Sequence, residues 1–290
     1  MNTNGKVVVT GGAGFIGMHL VQGLKDEGYE VAVVDIKQES DVRKTDELKN
    51  VFKDVQYVFH LAALPRVQFS IEHPQETNDT NVSGTLSVLE AARAANVKRV
   101  IYASSSSVYG DSDILPLVES LPASPKSPYA LQKYIGELYA KLYSSVFGLS
   151  TVSLRYFNVY GPGADPEGAY PLVVAKFIKL RSEGKPLSIT GDGTQTRDFT
   201  NVRDVVRANI LAATSEHVGK GEAINIGAGN NVSVNKIAEM IGGEVAHIAP
   251  RLEPHDTRAD NTLAKKLLGW EPQVSLEEGI AELKKIAGIA

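Results

Sequence analysis

The 290-residue chain is 43% apolar and 22% charged, so it can bury the core of one large or two unequal domains. Its formal net charge of −4 favours neither nucleic acid nor an anionic membrane as a partner, and no apolar run approaches the roughly 20 residues that span a bilayer. The absence of cysteine excludes disulfides and thiolate ligands, and the spacing of the six histidines predicts no metal site. We therefore expect a cytoplasmic protein without a metal.

The N-terminal segment places three glycines directly after an apolar run. Residues Lys6–Thr10 are predicted to form a strand, and Gly11, Gly14 and Gly17 follow it at three-residue spacing. Gly11 would allow a sharp turn, Gly14 would let the backbone approach a pyrophosphate, and Gly17 would let the next helix pack closely. Because a helix N-terminus offers free N–H groups to phosphates, this segment predicts a dinucleotide site.

The second predicted strand ends in a carboxylate, Asp35, which follows Gly17 by 18 residues. At this distance along the chain, a carboxylate accepts a hydrogen bond from the ribose 2′-hydroxyl of a dinucleotide. A carboxylate also repels a 2′-phosphate, so the sequence favours NAD over NADP, although Lys37 leaves the second choice open.

Farther along the chain, runs rich in β-formers alternate with helical patterns. The runs cover 56–61, 99–104 and 151–156, and the helices lie near 78–95 and 128–147. This alternation predicts an α/β fold with a Rossmann-type doubly wound parallel sheet. Glycine-rich turns after Tyr156 predict a smaller C-terminal substrate-binding lobe. We expect residues 1–156 plus approximately 198–228 to form the NAD-binding domain, and approximately 157–197 plus 229–290 to form the lobe.

The helix predicted over Pro128–Phe147 has both ends marked, by Ser127 as the N-cap and by Gly148 after the last turn. Packing on one sheet needs a single apolar stripe, but this helix carries more than one. We therefore expect a homodimer in which a partner subunit covers the outer stripe; tyrosines on a solvated face are the alternative. The side chains concerned are Leu131, Tyr134, Ile135, Leu138, Tyr139, Leu142 and Tyr143.

Two residues at the start of this helix suit acid–base chemistry. Tyr129 and Lys133 are four residues apart and so lie on one helix face. A phenol with a pKa of about 10 is a poor base at neutral pH, but the ammonium and a cationic nicotinamide ring would lower that pKa. Tyr129 would then take a proton from an alcohol. The run Ser104–Ser107 ends a neighbouring strand and offers hydroxyls there, unless these serines only satisfy backbone groups.

These features form a set of motifs spread over nearly the whole chain. Besides the glycines and Asp35, the set comprises His60–Ala63, Asn81–Gly84, Ser104–Gly110, the Tyr129–Lys133 pair and Leu154–Gly161. Together they resemble the extended short-chain dehydrogenase/reductase family. The resemblance is most specific to its NAD-dependent nucleotide-sugar epimerases, the UDP-galactose and UDP-N-acetylhexosamine 4-epimerases.

The resemblance implies a bound NAD and a catalytic group. Ser105 and Ser106 would bind the reacting hydroxyl, Tyr129 would be the base, and Lys133 would lower the pKa of Tyr129 while it holds the nicotinamide ribose. The implied cofactor contacts are Gly11, Gly14, Phe15, Ile16, Gly17, Asp35, Asp41, Val42, Leu61, Ala62, Ala63, Asn81, Ser104, Tyr129, Lys133 and Phe157.

The resemblance also implies a UDP-sugar substrate. The segment 191–199 is similar to the family segment whose arginine grips the diphosphate, which points to Arg197, and a second such arginine would be Arg251 or Arg258. Thr257 would leave room for an N-acetyl group on the sugar. The full set of implied substrate contacts is Arg66, Ser107, Asn158, Arg197, Arg251, Thr257 and Arg258.

The implied reaction is 4-epimerisation of UDP-glucose and UDP-galactose, with the N-acetylhexosamine pair as a further substrate. The C4 alcohol would be oxidised by hydride transfer to NAD, the 4-keto sugar would rotate, and the hydride would return to the opposite face. A related dehydratase, decarboxylase or reductase, or a non-catalytic NAD-binding regulator, is the alternative. Ser106 and Ser107 stand where dehydratases and decarboxylases of the family carry acidic residues, which favours the epimerase.

Overall fold

The computed structural model describes residues 4–167, 172–249 and 255–289. The strands are β1 Lys6–Thr10, β2 Glu30–Val34, β3 Val55–His60, β4 Arg99–Ser105, β5 Thr151–Tyr156, β6 Val159–Tyr160, β7 Leu187–Thr190, β8 Thr196–Arg197, β9 Thr200–Asn201, β10 Lys220–Ile226, β11 Val232–Ser233 and β12 Val245–Ile248. The α-helices are α1 Phe15–Asp26, α2 Thr45–Val51, α3 Val67–Glu72, α4 Pro74–Asn78, α5 Gly84–Ala94, α6 Pro128–Phe147, α7 Val173–Ser182, α8 Val202–Thr214, α9 Val234–Ile241, α10 Thr262–Leu268 and α11 Leu276–Ile286. Among the described residues, no helix is long and apolar enough to cross a membrane.

A six-stranded parallel sheet carries the main part of the fold. Its strand order is β10-β5-β4-β3-β1-β2, and Val8 in β1 pairs with Ala32 in β2 and with Val58 in β3. The order reverses at β1, because β2 lies on one side of it and all later strands lie on the other. Such a reversal opens a crevice at the carboxyl ends of the strands, where open α/β sheets bind their ligands. The predicted doubly wound fold is confirmed.

Hydrophobic cores cover both faces of this sheet. In β1, the side chains of Val7 and Val9 join the core under α1 and α8, whereas Val8 joins the core under α2 and α5. Successive side chains of a strand point to opposite faces, so a strand buried on both faces needs an unbroken apolar run. This requirement explains why β1 reads as a continuous run of valines.

A third core lies apart from the sheet, between α7, α9, α11 and the β7–β12 strand pair. Phe177, Leu187 and Ile237 are buried at its centre. By contrast, Trp270, just after α10, is buried in the core under α1 and α8 and donates its indole N–H to the Asp204 carbonyl. The predicted domain limits place α10 in the second lobe, but α10 packs on the sheet. The domain limits stay a prediction.

Helix α6 begins and ends where the sequence predicted. The Ser127 hydroxyl accepts a hydrogen bond from the Ala130 N–H, Pro128 is the first helical residue, and Gly148 ends the helix with a left-handed φ of 69°. Its inner face packs on the sheet, with Gly136 so close to Tyr102 that a Cβ atom would lie 2.2 Å from the tyrosine oxygen. Its outer face leaves Leu138 and four other large apolar side chains about half exposed or more: Leu131, Leu142, Val146 and Phe147.

Candidate active site

The glycine loop between β1 and α1 forms a cradle that side chains would fill. Gly11 has a φ of 71°, and a Cβ atom on it would lie 2.7 Å from the Ala62 nitrogen. A Cβ atom on Gly17 would lie 2.1 Å from the Gly11 carbonyl oxygen. At Gly14 the nearest atom would be that same oxygen at 3.2 Å, with nothing else within 4 Å. The space beside Gly14 therefore fits an approaching pyrophosphate at the N-terminus of α1.

The Asp35 carboxylate holds the backbone of this cradle through two hydrogen bonds. Its Oδ2 accepts a hydrogen bond from the Ala13 N–H at 2.9 Å, and its Oδ1 accepts one from the Lys37 N–H at 2.9 Å. A carboxylate oxygen accepts more than one hydrogen bond, so both oxygens retain capacity for ribose hydroxyls. The Lys37 ammonium lies 3.4 Å from the Ala13 carbonyl oxygen, beside the same carboxylate.

The residues after β3 form the opposite wall of the cradle. Leu61 donates its N–H to the Thr10 carbonyl, and Ala62 donates its N–H to the Thr10 hydroxyl at 3.2 Å. Ala63 continues this wall, while Phe15 and Ile16 in the first turn of α1 pack against the core beneath it. The predicted cofactor residues of these three segments therefore lie together at the carboxyl end of the sheet.

The side chains of four other predicted cofactor residues are engaged by the protein itself. Asp41 forms an ion pair with Arg43, and Val42 is buried in the core under α5. The Asn81 side chain accepts from the Leu64 N–H and donates to Gln132, and Ser104 donates its hydroxyl to Glu137. The partners of Asn81 and Ser104 on α6 are 51 and 33 residues away along the chain, so the motifs alone did not indicate them. The geometry gives these four side chains structural contacts, and their contact with the cofactor stays a prediction.

The Tyr129–Lys133 pair lies at the carboxyl end of β4, with Lys133 buried and Tyr129 partly buried. The Lys133 ammonium donates to the Ala103 carbonyl at 2.8 Å and lies 5.9 Å from the centre of the Tyr129 ring. Burial lowers the pKa of Lys133 to about 8, against the opposing effect of the Glu137 carboxylate. The Tyr129 N–H donates to the Ser70 hydroxyl, which ties the start of α6 to α3.

Without the cationic nicotinamide ring that the prediction includes, the pKa of Tyr129 is raised. Burial raises this pKa to about 12, and the Ser105 side chain opposes the rise only in part. The Lys133 ammonium is hydrogen-bonded to the Ala103 carbonyl, and it does not offset the desolvation of the phenol. In the protein alone Tyr129 is therefore a protonated phenol at neutral pH, and the predicted lowering requires a further positive charge.

The serine run provides both a cap and a free hydroxyl. Ser105 ends β4, and its hydroxyl accepts a hydrogen bond from the Ser107 N–H at 3.2 Å, so it does satisfy a backbone group. The Ser107 hydroxyl is buried and has no hydrogen-bond partner among the described residues. A buried hydroxyl without a partner is costly unless a ligand completes it. Ser106 lies between these two residues and is partly buried.

Three of the predicted substrate residues meet beside the crevice. Asn158, held at a φ of 24°, directs its amide nitrogen to the Asp198 carbonyl at 3.1 Å and to the Thr257 hydroxyl at 3.5 Å. Arg197 donates from Nη1 to the carbonyls of Thr196 and His255. Phe157, the predicted nicotinamide neighbour, is fully buried beside Asn158.

The remaining predicted substrate residues are arginines with different surroundings. Arg66 pairs with Asp165 at 2.8 Å on the surface, and its side chain is 39% exposed. Arg258 is partly buried, and its charge acts on the buried Asp198 carboxylate. Arg251 lies outside the described residues. Within those residues no group of three or more His, Cys, Asp or Glu side chains is placed to hold a metal ion.

Three groups support the site without having a role predicted from the sequence. His60 is buried between the hydroxyls of Thr10 and Thr85, at 2.7 and 2.9 Å, and burial lowers its pKa to about 3. Glu137 forms a buried ion pair with Arg155 behind Lys133, and Asp198 is buried beside Arg197. His60 belongs to the motif His60–Ala63, and Asp198 directly follows Arg197 in the segment 191–199. Their positions within these motifs are the signal from which the sequence could have identified them.

Comparison with known proteins places this site in a family. The family model for the NAD-dependent epimerase/dehydratase family matches residues 7–227. The chain belongs to this family. It is 36% identical to the UDP-glucose 4-epimerase of Mycolicibacterium smegmatis over 305 residues, which cover 96% of each protein. The predicted family, the isomerase class of enzyme and the NAD cofactor are confirmed.

Solved structures agree with this assignment. A UDP-N-acetylglucosamine 4-epimerase of Methanobrevibacter ruminantium, solved with UDP-N-acetylmuramic acid, is 35% identical, covers 98% of both chains and has a TM-score of 0.92. The Thermus thermophilus UDP-glucose 4-epimerase, solved with NAD, is 32% identical, covers 98% of this chain and 99% of its own, and has a TM-score of 0.89.

The family spans several nucleotide sugars and more than one reaction. A UDP-glucuronate 4-epimerase of Thermodesulfobacterium geofontis is 37% identical, with coverage of 95% of this chain and 94% of that protein. A UDP-N-acetyl-alpha-D-glucosaminuronate decarboxylase of Bacillus cytotoxicus is 34% identical, with 96% of both covered. Family membership alone therefore does not identify the sugar of the substrate, which depends on the residues of the site.

Proposed function

We propose that the chain interconverts the C4 epimers of a UDP-hexose, with UDP-glucose and UDP-galactose as the first pair. The observation that carries this proposal is the partly buried Tyr129 with the buried Lys133, beside Ser105 and the partnerless Ser107 hydroxyl. These groups lie at the carboxyl end of the sheet, the same edge as the glycine cradle. An alcohol held there would meet a base and hydroxyl donors next to a dinucleotide.

The protein residues supply orientation and proton transfer. NAD held at the glycine cradle would supply hydride transfer at the sugar C4. Tyr129 takes the proton of the C4 hydroxyl and gives it back, while Ser105 and Ser107 hold that oxygen. Because the pKa of Tyr129 is about 12 in the protein alone, Tyr129 becomes a base only when the charge of the oxidised cofactor adds to that of Lys133.

The second half of the site holds the diphosphate while the sugar turns. Arg197 and Arg258 present guanidinium groups that suit phosphate oxygens. Asn158 and Thr257 contact each other near Arg197, and a side chain as small as Thr257 would leave space for an N-acetyl group. We therefore include UDP-N-acetylglucosamine and UDP-N-acetylgalactosamine as a second substrate pair.

Incubation of the purified protein with each UDP-sugar, with and without added NAD, tests the proposal when NMR resolves the C4 epimers. We expect conversion of UDP-glucose to UDP-galactose, and its loss in Tyr129→Phe. Tyr139→Phe is the matched control, because Tyr139 lies on the same helix but packs in the core under α5. Absence of epimers from every UDP-hexose and UDP-uronate would overturn the proposal, and release of a decarboxylated sugar would replace it.

A further inference from the structure

Asp198 lies between β8 and β9, and its side chain is completely buried. Its Oδ1 accepts a hydrogen bond from the Ala228 N–H at 2.7 Å, and its Oδ2 accepts from Gly229 at 3.0 Å and Ala259 at 2.9 Å. The donors belong to two segments, one after β10 and one before α10, which lie 30 to 61 residues away along the chain. One carboxylate thus joins three separate parts of the protein.

The backbone of Asp198 contacts the residues proposed for the sugar diphosphate. Its carbonyl accepts from the Asn158 amide at 3.1 Å, and its N–H donates to the Thr257 hydroxyl at 3.4 Å. Arg197 precedes it in the chain, and Thr257 lies two residues before Ala259. A shift of the Asp198 carboxylate would therefore move Arg197, Asn158 and Thr257 together.

Gly227 shows how tightly this junction is packed. A Cβ atom on Gly227 would lie 2.4 Å from the Ala259 Cβ, 2.9 Å from the Asp198 Oδ2 and 3.2 Å from the Phe157 Cγ. No side chain fits there, so the carboxylate and the aromatic ring approach the same glycine. Asp198 therefore lies between Phe157, the predicted nicotinamide neighbour, and the residues proposed to bind the diphosphate.

We propose that Asp198 is a positioning residue for the nucleotide-sugar site, which fixes Arg197, Asn158 and Thr257 in the arrangement that binds the diphosphate. This inference rests on the proposed function. A carboxylate suits the task because both of its oxygens only accept, and three N–H groups converge on them. An asparagine would direct its NH₂ group at one of these donors, which would separate the segments that Asp198 joins.

Asp198→Asn tests the inference by calorimetric titration of UDP into the NAD-loaded protein and by steady-state kinetics. Losing a hydrogen bond to a charged group weakens an interaction by roughly tenfold, so we expect the Kd of UDP and the KM of the UDP-sugar to rise at least that much. The kcat should stay within about threefold and the NAD affinity should not change, since the cradle and the Tyr129 group do not contact Asp198.

Asp204→Asn is the matched control. Asp204 is also a buried carboxylate, and it accepts hydrogen bonds from Gln273 and Val274 N–H groups and from Arg207, but it joins α8 to the segment before α11. Its variant should lose thermal stability and keep the UDP affinity. Equal UDP affinity in Asp198→Asn and the wild type, or an equal loss in both variants, would overturn the inference. A wild type that binds no UDP would overturn the proposed function as well.

A second measurement on the wild type applies even when Asp198→Asn does not fold. Burial raises the pKa of Asp198 to about 6, while its three N–H donors and the Arg258 charge oppose that rise. Protonation removes acceptor capacity, so the Kd of UDP-glucose should rise as the pH falls from about 7 to 5. A constant or falling Kd would therefore refute the inference.

Discussion

The ion pair between Glu137 and Arg155 offers a test of how the active site is supported from behind. Arg155 donates from Nε at 2.9 Å and from Nη2 at 2.7 Å to the two Glu137 oxygens, and both side chains are 6% exposed. Ser104 donates to the same carboxylate from the end of β4. Glu137 lies one helical turn after Lys133 and opposes the fall of the Lys133 pKa.

Glu137→Gln should damage both stability and activity. It leaves the Arg155 guanidinium buried without a counter-charge, which costs about 4 kcal/mol of unfolding free energy when one member of a buried pair is removed. It also removes the carboxylate that raises the pKa of Lys133, so this pKa should fall further below its present value of about 8. Lys133 is charged only below its pKa, so the alkaline loss of activity should move to lower pH.

Urea unfolding and the pH dependence of kcat separate these two effects. The double variant Glu137→Met with Arg155→Met should recover stability to within about 2 kcal/mol of the wild type, because an apolar pair replaces a buried ion pair at little cost. The activity should not recover, since Ser104 and Lys133 still lack the carboxylate. A double variant with wild-type kcat and pH profile would refute the reasoning and reduce Glu137 to a purely structural role.

Three further predictions concern other parts of the molecule. Gly14→Ala should keep its melting temperature but lose NAD affinity in a fluorescence titration, whereas Gly17→Ala, whose Cβ would lie 2.1 Å from a carbonyl oxygen, should also unfold more easily. The pKa of His60 is lowered from 6.5 to about 3, so between these two pH values the imidazole binds a proton only in the unfolded chain. Unfolding free energy should fall by about 1.4 kcal/mol per pH unit below pH 6.5, and His60→Gln should remove that slope in urea titrations. If α6 forms a dimer interface, Leu138→Glu should convert dimers to monomers in light scattering, while exposed Ile286→Glu should not.

Local chemistry accounts for what the sequence predicted correctly. The limits of α6 follow from Ser127, Pro128 and Gly148, which act within one turn of the helix ends. The glycine cradle follows from steric demands that each glycine meets next to its own turn. Neither prediction requires knowledge of residues far away in the chain.

What the sequence could not predict depends on contacts between distant segments. Asn81 and Ser104 belong to family motifs, but their side chains meet Gln132 and Glu137, which are 51 and 33 residues away. The three donors to Asp198 are similarly remote. The fall of the Tyr129 pKa predicted from Lys133 and a cationic nicotinamide ring concerns the protein with its cofactor. In the protein alone desolvation raises this pKa, and burial is known only once the fold is formed.

The raised pKa of Tyr129 gives the proposed reaction its order. In the protein alone the phenol holds its proton at neutral pH, because its pKa of about 12 leaves almost no phenolate. Tyr129 loses that proton readily only beside a positively charged nicotinamide, so an alcohol bound without oxidised cofactor meets no base. In the proposed reaction Tyr129 would hold the substrate proton more tightly when the ring is no longer charged, and would return it to the keto oxygen. Burial of the phenol, which the sequence did not predict, would thus couple proton transfer to hydride transfer in both directions.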